Sequence, residues 1–128
     1  MESLAGKARN YFMIGVIAEN LGMAQEAACN FFEAIFAADD AKIFEIVKDR
    51  PKDHNERFTI LKARLPVLYD ITDRLFAIYK RSGIKDLDMP EVRIVKNRVT
   101  EVFEHAGIPV PGDEEVRKRV EELARKKP

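Results

Sequence analysis

The chain has 128 residues, and its 22 basic and 22 acidic side chains give a formal net charge of zero. An apolar share of 46% excludes disorder by composition, and a single cysteine, Cys29, excludes a disulfide scaffold. The longest apolar run, residues 11–18, is too short to span a membrane, and no secretory leader is visible, so a globular domain in the cytoplasm is expected.

The first two predicted helices form a hairpin. Helix one is predicted over residues 4–21, because apolar residues recur at steps of three and four, and Gly22 suits the left-handed residue that ends a helix. Helix two is predicted over about residues 23–48, continuing through Asp39 and Asp40. The alternative is that Asp40 caps a separate short helix.

Prolines and caps delimit the next two helices. Asp53, with Glu56 three residues later, forms a pair that resembles a capping box and predicts a short helix over residues 54–64. Pro66 suits the first turn of helix four, which we expect to stop at Gly83.

Helix five opens at Asp88, and its valines are spaced by three and four rather than two, which favours a helix over a strand. The predicted fold is therefore all-α, an antiparallel bundle of four to five helices within residues 1–107. A linker at residues 108–112 leads to a last helix over residues 113–128, capped by Asp113 and packed on or extending from the bundle. The basic end of this helix, which suits the helix dipole, is Arg125, Lys126 and Lys127.

The zero net charge conceals an asymmetry. Residues 1–40 hold two basic and six acidic side chains, whereas residues 41–85 hold eleven basic and six acidic ones. The middle third is therefore the candidate footprint for an anion such as RNA or a nucleotide, and the alternative is an ordinary solvated surface. The eleven basic residues are Lys42, Lys48, Arg50, Lys52, Arg57, Lys62, Arg64, Arg74, Lys80, Arg81 and Lys85.

The sequence predicts no metal site and no cofactor. Two histidines and one cysteine are too few for a zinc site, and no glycine pattern for phosphate binding is present. Asp39 and Asp40 lack a further metal ligand at helical spacing and are typical of a helix break or a solvated pair. Cys29 is expected to be buried, because it lies among apolar residues of helix two.

The first hairpin resembles a single tetratricopeptide repeat. The pattern does not recur 34 residues later, and Asp39 stands in place of the closing proline, so a repeat array is not expected. The resemblance offers one alternative function, a non-catalytic protein-interaction module in which the hairpin holds a partner helix. The matching residues are Tyr11, Ile14, Gly15, Ala18, Gly22, Ala27, Phe31 and Ala34.

A second resemblance covers about residues 8–107. Two long helices with Phe31-Phe32, a turn with a histidine that opens a short helix, and a long helix ending in a tyrosine with basic neighbours are similar to the HEPN group of small helical domains. The resemblance implies nucleotide or RNA binding. The segments that carry it are Arg50-Pro51-Lys52-Asp53-His54, Leu68-Tyr69 and Tyr79-Lys80-Arg81.

The ligand-binding candidates lie in or near these segments. They are Arg50, His54, Arg57, Lys80 and Arg81. For Arg50 and Arg57, the alternative is contact with the carboxylates of Asp49, Asp53 or Glu56. For His54, the alternative is a first-turn residue packed on the loop.

The resemblance also implies a catalytic pair. Active members of the HEPN group carry an arginine followed four to six residues later by a histidine, and as dimers they cut RNA without metal. Arg98 and His105 are separated by six residues. The histidine would transfer a proton and the arginine would hold the phosphate, with the RNA 2′-hydroxyl as the attacking group. The alternative for His105 is a cation that caps the helix.

The implied assembly is a homodimer, to which the phenylalanines of helix two could contribute an interface. Some relatives in the group have an antitoxin-like protein partner. The domain is accordingly expected to be a metal-independent endoribonuclease of the toxin type or an inactive relative.

Overall fold

The computed structural model of the chain describes residues 3–83 and 85–125, and the regular elements in these ranges are all helices. The predicted all-α bundle is confirmed. The helices are α1 (Leu4–Asn20), α2 (Ala24–Val47), α3 (His54–Arg64), α4 (Pro66–Ser82), α5 (Met89–Ala106) and α6 (Asp113–Arg125). None of these helices combines the length and the apolarity needed to cross a membrane.

Helix α2 lies at the centre of the bundle, and it contacts α1, α3, α4 and α5. The ring of Phe12 on α1 lies 5.6 Å from that of Phe31 on α2 and 5.8 Å from that of Phe103 on α5. Gly15 permits this close packing, because a Cβ added there would lie 2.5 Å from Cε1 of Phe31. Gly15 of the first hairpin therefore allows α1 and α2 to approach each other closely within the bundle.

Helix α2 runs unbroken through Asp39 and Asp40, so the expected continuation is confirmed. Phe31, Phe32 and Phe36 are buried inside the chain, while 46% of Phe44 is exposed. Most of the phenylalanine surplus therefore forms the core of a single chain. Cys29 is exposed, and the prediction that it is buried was wrong. It lies near Gln25, one turn earlier, on the outer side of the helix.

Local signals account for most helix ends. The carboxylate of Asp53 accepts the backbone N–H of Glu56 at 2.9 Å, and Asp88 and Glu91 form a full capping box. Gly22 adopts the left-handed conformation with φ of 75°. Asp113 is the first residue of α6 rather than its cap, because the carbonyl that accepts the Val116 N–H belongs to Gly112.

Helix α6 packs on α1. The guanidinium of Arg9 donates to the carbonyl of Pro109 at 2.8 Å and to the carboxylate of Glu115 at 2.6 Å. Val116 is buried, and most other residues of α6 are exposed. The basic end predicted at Lys126 and Lys127 lies outside the described residues.

Candidate functional site

The start of α3 lies beside the end of α4, so the two helices form an antiparallel hairpin. The His54 ring lies 5.1 Å from Phe76 and 5.6 Å from Tyr79, and farther along the hairpin Phe58 contacts Tyr69 at 6.3 Å between ring centroids. The basic loop between α2 and α3 is thereby brought to the same end of the hairpin as the basic end of α4.

His54 is held by a ring contact and by a hydrogen bond. It lies 4.7 Å from the Phe36 ring of α2, and its Nδ1 atom is 2.6 Å from the Nη1 atom of Arg57. Partial burial, and then the positive charge of Arg57, lower the pKa of the His54 imidazole from its ordinary value. The ring is therefore neutral near pH 7.

Asp40 on α2 holds the side chain of Arg57 in place. Its Nε atom donates to Oδ1 of Asp40 at 2.6 Å, and its Nη2 atom donates to Oδ2 at 2.9 Å. Both side chains are only 11% exposed. Burial disfavours the cation, but the hydrogen bond and charge of Asp40 outweigh it and raise the pKa of Arg57. All three guanidinium nitrogens are engaged, so Arg57 acts through His54 and Asp40 rather than as a free cation.

Asp39 lies deeper, with no exposed surface. Its Oδ2 atom accepts a hydrogen bond of 2.7 Å from the hydroxyl of Thr72 on α4, and its Oδ1 atom has no partner among the described residues. Burial raises the pKa of this carboxyl well above its usual range, although the Thr72 hydrogen bond opposes the shift. The prediction of a solvated pair at Asp39 and Asp40 was wrong, because Thr72 and Arg57 supply polar partners inside the bundle.

The structure separates the other ligand-binding candidates. The Lys80 ammonium lies 5.2 Å from the centre of the Phe76 ring, which also contacts His54. Arg81 is ion-paired with Glu91 on α5. Arg50 is exposed in the loop before α3. Its backbone N–H is bonded to the Asp49 carboxylate at 2.8 Å, and its side chain borders an apolar groove near Phe44.

Seven of the eleven basic residues between 41 and 85 are exposed and have no ion-pair partner within residues 3–83 and 85–125. We call these seven residues the basic face. They occupy the α3–α4 hairpin and the turns that flank it. Charged side chains without partners leave a positive potential that phosphates can neutralise. The basic face consists of Lys48, Arg50, Lys52, Lys62, Arg64, Lys80 and Lys85.

Arg98 and His105 are both exposed on α5. Seven residues of helix advance about 10 Å along the axis, which brings the two side chains to similar sides but two turns apart. Between them, Glu101 is ion-paired with Arg98. His105 borders an open groove formed with the first turns of α4, where Asp70 and Arg74 also lie.

The sequence reasoning missed the polar residues beneath His54. Asp39 and Asp40 lie three and four residues after Phe36 and share its buried side of α2, and that spacing was the available signal. Thr72 carries no comparable signal, because its role depends on the packing of α4 against α2. In the described part of the chain, no group of three or more histidine, cysteine, aspartate or glutamate side chains is placed to hold a metal ion.

Comparison with models of protein families, with curated proteins and with solved structures gives no match.

Proposed function

We propose that this chain is an RNA-binding helical domain similar to the HEPN group, and that the basic face contacts the RNA phosphates. The observation that carries this proposal is the set of seven exposed cations without ion-pair partners among the described residues. Within residues 41–85 the eleven basic side chains outnumber the six acidic ones, so the carboxylates there do not cancel the positive charge.

Aromatic rings beneath the cations support the same function. The Lys62 ammonium lies 5.9 Å from the centre of the Tyr69 ring, and that of Lys80 lies 5.2 Å from the Phe76 ring. Both rings are half-buried. Proteins that bind single-stranded nucleic acids combine cations for the backbone with aromatic surfaces for the bases. The helix order that resembles the HEPN group favours the same ligand.

The test is the binding of a fluorescent single-stranded RNA, measured by anisotropy over a range of salt concentrations. We expect the affinity of the natural chain to fall steeply with salt. In Lys62→Ala/Lys80→Ala the salt slope should be smaller by about 1.4, since each phosphate contact to a single strand contributes about 0.7. Lys118→Ala removes an exposed cation from α6 and is the matched control. Absence of binding, or an equal slope for the double variant, would overturn the proposal.

A second candidate function is RNA cleavage without metal by Arg98 and His105. It is favoured by the exposure of both side chains on α5 and by the open groove beside His105. In this reaction the RNA 2′-oxygen bonds to phosphorus, the bond to the 5′-oxygen breaks, and a cyclic phosphate forms. The proton of the 2′-hydroxyl passes to His105, the leaving 5′-oxygen takes up a proton from water and departs as a hydroxyl, and Arg98 stabilises the phosphate charge. Within one chain, Arg98 is ion-paired with Glu101. In the proposed reaction the site is completed in a homodimer, where the Arg98 and His105 pairs of the two chains face each other.

Incubation of the protein with RNA and a chelator tests this second function. We expect cyclic phosphate ends, loss of cutting in His105→Ala, and no reaction with DNA, which lacks the 2′-hydroxyl. Lys118→Ala should still cut RNA, because it leaves both residues of the pair and the basic face in place. Intact RNA after incubation with the natural chain would remove cleavage and leave the binding proposal standing.

A further inference from the structure

We propose that the outward edge of His54 is a preset hydrogen-bond donor for a phosphate oxygen, and that Arg57 and Asp40 position it. This inference rests on the proposed RNA-binding function and assigns the contact that His54 makes in it. A guanidinium can only donate hydrogen bonds, so the 2.6 Å contact with Arg57 makes Nδ1 of His54 the acceptor. The hydrogen of the neutral ring is then on Nε2.

The Nε2–H group of His54 is available to a ligand. It has no hydrogen-bond partner among the described residues. In that part of the chain, the buried side-chain polar atom left without a partner is Oδ1 of Asp39. Nε2 is therefore in contact with solvent, as expected for a half-buried ring at the edge of the bundle.

The orientation of the ring is set from two directions. The carboxylate of Asp40 binds Nε and Nη2 of Arg57, which leaves Nη1 directed at His54. Phe36 and Phe76 contact the ring at 4.7 and 5.1 Å between centroids. A flipped ring would lose the Arg57 hydrogen bond, so the donor is held in one direction before any ligand arrives. Such preorganisation reduces the ordering cost of binding.

Two exposed lysines lie near this donor, beside the carboxylates that also face the ring. The Lys80 ammonium lies over Phe76, the ring that also contacts His54, and Lys52 is two residues before His54 on the exposed loop. A phosphate could therefore meet the Nε2–H group and a nearby cation together. The charged and titratable groups around the ring come from α2, from the start of α3 and from α4: Glu33, Asp40, Asp53, Arg57, Tyr79 and Lys80.

This arrangement predicts how ligand binding at His54 depends on pH. A second proton on His54 would have to enter at Nδ1, where it would displace the Arg57 donor and face a positive charge. The site therefore donates from a neutral ring, and its contribution to affinity should be the same at about pH 7 and about pH 8.5. A binding histidine that acts as a cation would instead strengthen binding as the pH falls.

Two measurements test the inference. Nitrogen NMR of the imidazoles should show Nδ1 of His54 unprotonated and Nε2 protonated over this pH range, with His105→Gln used to assign the two histidines. RNA affinity should fall about tenfold in His54→Ala at both pH values, and Lys118→Ala should bind like the natural chain. The double variant Asp40→Leu/Arg57→Met removes the buried ion pair without leaving an unpaired charge. In this variant both neutral tautomers of His54 should be populated, and the affinity for RNA should become pH-dependent.

The outcomes separate this inference from the proposed function. If the natural chain binds RNA but His54→Ala binds equally well, or if Nδ1 carries the proton, the donor site is overturned and RNA binding stands. If the natural chain binds no RNA, the proposed function fails. A titration with inorganic phosphate then tests whether the Nε2–H group of His54 donates to a phosphate oxygen. A shift of the His54 Nε2 resonance with phosphate supports the site, and an unchanged resonance overturns it. The wild-type spectra and His54→Ala decide the matter even if the double variant does not fold.

Discussion

The residue with the most unusual surroundings is Asp39. Fully buried carboxyl groups are rare, and this one has a hydrogen bond to one oxygen and none from the described residues to the other. Its raised pKa means that the folded chain holds a proton there that the unfolded chain releases above about pH 4. The folded state thus binds more protons than the unfolded state, and Asp39 lowers stability as the pH rises until the folded-state pKa is passed.

Replacement of Asp39 by asparagine tests this linkage. Asparagine can accept the Thr72 hydrogen bond but does not ionise, so Asp39→Asn should gain stability relative to the natural chain as the pH rises above about 4. The difference should grow by up to about 1.4 kcal/mol per pH unit. Urea unfolding of both proteins across the pH range gives this value. Asp113→Asn, at an exposed position on α6, should show no such trend. A constant difference between Asp39→Asn and the natural chain would contradict the prediction.

At the scale of elements, the tightest contact joins α1 and α2. Gly15 faces the ring of Phe31, and a methyl group there would meet ring atoms at 2.5, 2.6 and 3.0 Å. The ring has no exposed surface and is packed against Phe12, so it has little room to move. A glycine in the middle of a helix ordinarily lowers stability by up to about 1 kcal/mol relative to alanine. Here only a residue without a side chain allows the two helices to approach this closely.

We expect Gly15→Ala to destabilise the chain by about 2 kcal/mol, because overpacking outweighs the gain in helix propensity. Thermal and urea unfolding measure the change. Gly83→Ala is the control, since its added Cβ would lie at an ordinary contact distance of 3.5 Å from the Lys80 carbonyl oxygen and its backbone has φ of −74°. In a Phe31→Leu background the same substitution at Gly15 should cost less. A neutral or stabilising Gly15→Ala in the natural background would refute this account of the contact.

Sequence reasoning succeeded where the signal was local. Asp53 with Glu56 and Asp88 with Glu91 determine helix starts through atoms three residues apart, and both starts were predicted. It failed where the partner is distant in the chain. Thr72 is 33 residues from Asp39 and Arg57 is 17 residues from Asp40, so their burial depends on how α3 and α4 pack on α2.

Cys29 illustrates a second reason for failure. Helix α2 is apolar around most of its circumference, because four other helices surround it. A helix of this kind gives a weak amphipathic pattern, and the narrow side that faces solvent cannot be identified from spacing alone. The catalytic pair remains a prediction, since its sequence spacing gives no information about a partner chain.

For the whole molecule, the contacts between helices are distributed unevenly. Helix α2 is in contact with most of the bundle, whereas α6 is attached to α1 by Val116 and by the hydrogen bonds of Arg9. Exposed ion pairs within α6, such as that of Arg117 with Glu114 at 3.2 Å, add little to the stability of this helix.

Hydrogen exchange should therefore separate the two helices. We expect the amides of α6 to exchange through local opening, at free energies well below that of global unfolding, while the central amides of α2 exchange only when the whole chain unfolds. Arg9→Ala should accelerate exchange in α6 and leave α2 unchanged. Equal protection of α6 and α2 would show that the last helix is an integral part of the cooperative unit.

The basic face has a consequence for how the molecule moves toward a ligand. Its cations belong to the α3–α4 hairpin and its flanking turns, so a chain of zero net charge still presents an excess of positive charge on one side. Near a polyanion such a molecule experiences a torque that orients this side toward the anion. It would turn the hairpin toward the strand before touching it, and a larger share of collisions would be productive.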